Sequence, residues 1–131
     1  MKQTLTLCLW ALLLLPYTGF ASQQTDSLNL EQYLSQNEIE VKSGDDGLYY
    51  TIEKEGQGAY PKARDYVMIR YTGRLLDGKV FDQSTPNEPF VFQLGYRIVI
   101  QGWEKGIPLF PVGSKGTLYV PPHLAYGQNG L

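Results

Sequence analysis

One cysteine, one histidine and two methionines are all the sulfur and imidazole that the 131 residues contain. A lone Cys8 excludes an intramolecular disulfide framework and a Cys-rich zinc site. A lone His123, with no close cluster of Cys or carboxylates, argues against a protein-held catalytic metal. Charge of one sign is also missing: 11 Lys+Arg face 13 Asp+Glu, the formal net charge is -2, and there is no run of basic residues. An electrostatically driven nucleic-acid binder is therefore excluded as the default reading. No Gly-x-Ser-x-Gly elbow, phosphate loop or dinucleotide fingerprint occurs. A nucleophilic triad would have to use His123, which follows Pro121-Pro122 and reads as an ordinary loop histidine. Asp77, Asp82 and Glu104 are the carboxylates available for paired acid–base work, but nothing in their spacing singles them out from solvated turn and helix-face acids.

A long apolar run is absent too. The longest spans Leu5 to Leu15, eleven residues broken only by Thr6, where a bilayer-crossing helix needs about 20. Lys2 before it, Pro16 after it and Gly19-Phe20-Ala21 at its end give the layout of a secretory signal over residues 1–21. No stable membrane anchor is expected. Cleavage after Ala21 would leave 110 residues without cysteine, suited to an export compartment without reliance on disulfides. Residues 22–46 read as a lead-in. Ser27 or Asn29 is placed to cap a short helix with Leu30, Tyr33 and Leu34 on one face, and Asn37 to stop it. Domain length then permits one domain, from residue 47 to 131.

Within that domain the apolar period changes to two. Leu48, Tyr50 and Ile52 share a side, as do Val67, Ile69, Tyr71 and Leu75, then Phe90, Phe92 and Leu94, then Leu118 and Val120. Such alternation describes strands of an antiparallel sheet with one buried face. Asp77-Gly78 predicts a tight hairpin between strands at 66–76 and 79–83, with positive φ at both central positions. A single helical pattern lies between strands, about Val99 to Ile107, with Ile100, Trp103 and Ile107 on one stripe. Gly102 and Gly106 cost it about 1 kcal/mol each relative to Ala, and Pro108 ends it. A helix so short and poor forms only when packed on a sheet. The fold class expected is α+β.

What is abundant is aromatic: 10 Tyr, 5 Phe and 2 Trp. Tyr71, Phe81, Phe90, Val99, Ile100, Trp103 and Tyr126 recur wherever the chain turns. They are either plain core or the lining of an apolar pocket with a few polar groups, Asp82 and the Tyr71 and Tyr126 hydroxyls. Such a pocket by itself suits a reaction in which no bond is made or broken.

The order of motifs is specific. Arg70-Tyr71-Thr72-Gly73, Asp77-Gly78-Lys79-Val80-Phe81-Asp82-Gln83-Ser84, Pro89-Phe90-Val91-Phe92-Gln93-Leu94-Gly95 and Val99-Ile100-Gln101-Gly102-Trp103-Glu104-Lys105-Gly106 follow one another. Val112-Gly113 and Leu124-Ala125-Tyr126-Gly127 come after them. Together, from about Leu48 to Gly127, they resemble the FKBP-type peptidyl-prolyl cis/trans isomerases. The resemblance implies an antiparallel sheet wrapped around one short helix. It makes Trp103 the pocket floor and Tyr71, Phe81, Phe90 and Val99 its walls. Ile100 would offer its backbone N–H to a substrate carbonyl, and Asp82 and Tyr126 would contact the bound peptide. The implied partners are proline-containing peptides, unfolded exported proteins and macrolide inhibitors, with no cofactor; the implied setting is a bacterial periplasm, in a chaperone-like folding role.

Three departures stand out. The chain stops at Leu131, where members of the resembled family continue through a covering loop into a final strand lying between the strands at 66–76 and 116–120. That final strand is expected to be missing, and the chain alone is expected to be unstable, inactive or both. Pro121-Pro122 opens the last loop where one proline is usual, and the Phe81 to Phe90 loop is one residue shorter than in the best-known members. Two alternatives to the isomerase stay open: a module that binds proline peptides without turnover, and an inactive fragment.

Overall fold

The computed structural model describes residues 29–127. The expected export signal, with the polar stretch after it, lies outside the described residues.

The first described element is a helix, α1, at 29–36. Leu30 and Leu34 are buried and Tyr33 is half-buried, so one apolar stripe faces the body of the protein. Asn37 closes the helix: its backbone N–H and its side-chain amide both donate to the Tyr33 carbonyl, at 3.1 and 2.8 Å. The chain then enters the sheet. Strand β1 (Lys42–Ser43) pairs antiparallel with β2 (Tyr49–Lys54), and β2 pairs with β7 (Lys115–Tyr119). Between β1 and β2 a 3-10 turn at Asp45–Gly47 reverses the chain, with Asp46 at φ 56 and Gly47 at φ 82.

Strand β3 (Tyr66–Ile69) pairs with β6 (Phe90–Gln93), and β4 (Thr72–Arg74) with β5 (Val80–Gln83), every pairing being antiparallel. Val67 lies opposite Phe92 and Ile69 opposite Phe90, while Tyr66 and Met68 point out to solvent. Alternation of burial along β3 and β6 is thus the period of two in the sequence. The run at 66–76, however, is two strands and not one. Tyr71 breaks it, because both its backbone groups go to Ser84: the Tyr71 N–H donates to Ser84 Oγ and the Ser84 N–H donates to the Tyr71 carbonyl, each at 3.0 Å. The turn at Asp77-Gly78 also differs from the expectation. Only Gly78 has positive φ, at 91, and the bonds from Leu75 N–H to Lys79 O and Gly78 N–H to Leu75 O close a three-residue loop. A loop of that length ends on one left-handed residue, and glycine takes it without a Cβ penalty.

Helix α2 (Gln101–Gly106) continues into a 3-10 turn, Ile107–Leu109, at Pro108. Its two glycines, a weakness in propensity, are its contact surface. An ideal Cβ on Gly106 would stand 2.5 Å from Leu118 Cδ2, and one on Gly102 would overlap Val120. Glycine there lets the helix backbone lie directly against β7 and the residue after it. Beneath the helix sits the core cluster of Val67, Phe92 and Leu94, against which Ile69, Val99, Trp103 and Ile107 pack. The architecture is α+β, antiparallel strands around one short helix. Among the described residues β3 pairs only with β6 and β7 only with β2. A groove of about 460 Å³ separates the two, lined by Met68, Ile69, Arg70, Pro89, Ser114 and Lys115.

Candidate functional site

Trp103 is the third residue of α2 and sits where the helix start meets the β3–β6 face. Three rings surround its indole. Tyr71 stands edge-on with centroids 4.8 Å apart and planes at 80°, Phe90 lies at 6.0 Å and 62°, and Phe92 at 6.0 Å and 33°. Edge-to-face geometry lets the positive rim of one ring meet the negative face of another, worth about 0.5–1.5 kcal/mol per pair beyond burial. Tyr71 and Phe90 also touch each other, at 6.2 Å and 73°. Phe92 was not among the sequence candidates. Its place is legible in hindsight: it shares a face with Phe90 on β6, stacks on it at 5.5 Å, and is 3% exposed. It carries the floor of the cluster down into the core, while Phe90 is 36% exposed and meets solvent.

A second group lies on the β4–β5 hairpin. The Phe81 ring stands at 89° to Tyr126, with centroids 6.1 Å apart. Gly73 makes room for it, since an ideal Cβ there would come within 2.8 Å of Phe81 Cζ. Asp82, the residue after Phe81, joins the two groups. Its Oδ2 accepts the Tyr71 hydroxyl at 2.7 Å and its Oδ1 accepts the Gln83 N–H at 2.9 Å. The Asp82 carboxylate beside it, partial burial and the proximity of Tyr126 push the Tyr71 phenol up to about 12. Tyr71 therefore stays a neutral donor throughout the physiological range, and Asp82 keeps a fixed orientation. Tyr126, in the loop after the 3-10 turn Pro122–Leu124, is 46% exposed.

Val99 packs beside Trp103 on the core cluster. Ile100 precedes α2 in extended backbone, φ -58 and ψ 152, and its carbonyl accepts the N–H groups of Trp103 and Glu104 at 3.0 and 3.2 Å. Its own N–H donates to no acceptor among the described residues. The structure thus brings Tyr71, Phe90, Val99 and Trp103 together, ties Asp82 to Tyr71, and places Phe81 with Tyr126. The arrangement is a cluster of rings with one hydrogen-bonded carboxylate beside it and, at Ile100, an N–H that donates to no acceptor among the described residues. The sequence did not single out Ser84, yet it holds the Tyr71 backbone on both sides; its position at the end of the Asp77–Ser84 motif was the available signal.

Comparisons with known proteins support the fold. The family described as FKBP-type peptidyl-prolyl cis-trans isomerase matches residues 58–131, more than half of the chain. The FKBP-type peptidyl-prolyl cis-trans isomerase FkpA of Aeromonas hydrophila is 48% identical over 103 residues, covering 76% of this chain and 38% of that protein. The FKBP-type 22 kDa peptidyl-prolyl cis-trans isomerase of Escherichia coli is 42% identical over 102 residues, covering 76% of this chain and 48% of that protein. The chain thus spans less than half the length of these relatives. Among solved structures, a peptidyl-prolyl cis-trans isomerase from Pseudomonas syringae pv. tomato superposes with a TM-score of 0.69 at 34% identity, over 89% of this chain and 84% of that one. FkpA from Escherichia coli gives 0.69 at 37% identity, over 85% and 55%.

Proposed function

This chain belongs to the FKBP-type peptidyl-prolyl cis-trans isomerases, and from that we propose that it accelerates rotation about X-Pro bonds in exported polypeptides. The observation that carries the proposal is the packing of Tyr71 at 4.8 Å and Phe90 at 6.0 Å against Trp103, beside the Ile100 N–H, which donates to no acceptor among the described residues. A planar amide resists rotation by ~18–20 kcal/mol because its nitrogen lone pair is conjugated with the carbonyl. Water strengthens that conjugation by hydrogen-bonding the charge-separated form. Rings that displace water from the prolyl amide weaken it, and a site that fits the twisted amide better than either planar form lowers the barrier further. A 10⁵-fold acceleration needs only about 7 kcal/mol.

In this reading Trp103 is the floor under the proline ring, and Tyr71, Phe81, Phe90 and Val99 are the walls. The Ile100 N–H holds the carbonyl of the substrate. Asp82, fixed by Tyr71, and Tyr126 contact the bound peptide. No proton is transferred and no covalent intermediate forms. The chain is organised as an export signal at 1–21, a lead-in at 22–46 and the isomerase domain from 47, and it works on proteins after export, in a periplasm. The same site would take macrolides that present a proline-like ring.

The test is a coupled proline-peptide isomerisation assay on the chain extended past Leu131 through the expected final strand, with Trp103→Leu and Phe81→Ala beside it. Acceleration above the uncatalysed rate that falls at least tenfold in both variants is the expected result. Peptide binding with turnover at background would instead favour the binding module, and acceleration untouched by either substitution would remove the assigned site.

A further inference from the structure

The loop at 94–100 joins β6 to α2 and carries two of the proposed site groups, the Val99 side chain and the Ile100 N–H. Little packing holds its outer part. Tyr96 and Ile98 are 55% and 61% exposed, and a groove of about 390 Å³ runs between the loop and the helix, lined by Gly95, Arg97, Gln101, Glu104 and Lys105. The backbone there is also unusual. Gly95 has φ 87 and Arg97 φ 56, the latter a conformation that residues with a Cβ seldom adopt. One side chain spans the groove. Glu104, in the first turn of α2, accepts the Gly95 N–H on Oε2 at 2.7 Å and the Arg97 N–H on Oε1 at 3.0 Å. Among the described residues no other side chain bonds the backbone of residues 95–100. Carboxylate bonds to backbone N–H groups are shorter and stronger than neutral ones, and two of them from one rigid group fix both position and direction.

We infer that Glu104 is a positioning residue for the proline site: its carboxylate locks the 94–100 loop onto the helix that carries Trp103, and so sets where Val99 and the Ile100 N–H stand relative to the indole. The residue reads in the sequence as a solvated helix-face acid, and both its carboxylate oxygens are taken by the loop. Its role is to make floor and wall one rigid body, so that the groups that bind the peptide keep their relative positions. The inference rests on the isomerase reading above for its functional consequence, and on the loop geometry alone for its structural one.

Glu104→Ala and Glu104→Gln test it, with steady-state isomerisation and amide hydrogen exchange measured on the same samples. Because the Val99 wall and the Ile100 donor hold ground state and transition state alike, the Ala variant is expected to raise KM roughly five- to tenfold with kcat within about twofold. Exchange at Gly95 and Arg97 should quicken in that variant while the β3–β6 amides keep their protection. Glutamine retains one acceptor oxygen, so its KM and exchange should lie between parent and Ala. An unchanged KM in a folded Ala variant overturns the positioning role. So does a loss of kcat in step with faster exchange throughout the sheet, which marks a merely structural residue. If Ala fails to fold, the Gln variant decides by the same two readouts. A parent without turnover sinks the isomerase reading alone, whereas unchanged exchange at Gly95 and Arg97 sinks the loop assignment alone.

Discussion

Replacing Gly102 by alanine asks whether glycine is present in α2 for packing or by tolerance. On propensity alone the change should help, by up to ~1 kcal/mol in a helix interior and less in the first turn, where Gly102 lies. The structure argues the other way. An ideal Cβ would stand 3.0 Å from Val120 Cγ2 and 3.2 Å from Val120 Cβ, and would overlap Cγ1, where comfortable carbon contacts are about 3.5–4.0 Å. Valine cannot swing aside, because branching at Cβ leaves it stiff about χ1. The helix must therefore rise from the sheet, at an overpacking cost of typically ~1–3 kcal/mol. With Val120 rigid and three of its atoms in the way, the upper part of that range applies, and the net loss is about 2 kcal/mol. For a domain of this size that is a fall in unfolding midpoint of roughly 8–16 °C. Thermal or denaturant unfolding of parent, Gly102→Ala, Val120→Ala and the double variant measures it. The double variant should recover more than 1 kcal/mol relative to the sum of the singles, since the two methyls in conflict are gone. A single variant as stable as the parent, or a cycle without coupling, would refute the claim that close approach of α2 to Val120 is what the glycine provides.

Tyr71 and Asp82 give a prediction in pH. Asp82's hydrogen bond raises the Tyr71 phenol to about 12, above the ordinary value near ~10, so the bond's contribution is complete below about pH 10 and lost as pH climbs through 12. An ultraviolet titration of phenolate absorbance should show a late step that disappears in Tyr71→Phe and shifts downward in Asp82→Asn; a titration identical in parent and variants contradicts the bond. At neutral pH Tyr71→Phe should cost no more than about 1 kcal/mol of stability, because the pair is near the surface. Gly73→Ala, whose Cβ would lie 2.8 Å from Phe81 Cζ, should tilt that ring away from Tyr126. A loss of about 1 kcal/mol there weakens proline-peptide binding roughly fivefold, with little change in unfolding midpoint; a binding titration that finds full affinity would show that Phe81 is free to adjust.

Most of the fold was legible because it is periodic. Val67, Ile69, Phe90 and Phe92 alternate in sequence and meet across β3 and β6 in space, and a pattern of two needs no tertiary information to be seen. Leu30 and Leu34 reveal α1 for the same reason at the helical period. The failures occur where one local bond overrides the pattern. Tyr71 continues the alternation perfectly, yet Ser84 takes both its backbone groups and the strand ends there. At Asp77-Gly78 the dipeptide favours a two-residue turn, but the bulge between Gly73 and Arg74 shifts the register so that Arg74 meets Val80, and the loop closes with three residues. Neither choice is written in residue type; each depends on what the partner strand offers.

The site divides along the same line. Its rings announce themselves, since Trp and Phe at strand ends must either be core or line something, and Trp103 reaches the core through Phe92. Its polar members are silent until distances are known. Glu104 looks like any exposed acid of a helix, and only the left-handed backbone at Gly95 and Arg97 brings two N–H groups to its oxygens. Gly102 reads as a flaw for a comparable reason: helix propensity measures the isolated segment, whereas what decides here is the volume left by Val120. A six-residue helix with two glycines has almost no stability of its own, so its position is set wholly by what it touches. Sheet contact fixes it from below, through Gly102 and Gly106, and Glu104 ties the loop to it from the side. Precision at the indole of Trp103 is therefore a property of the surroundings, and substitutions that never reach a bound peptide should still be felt there.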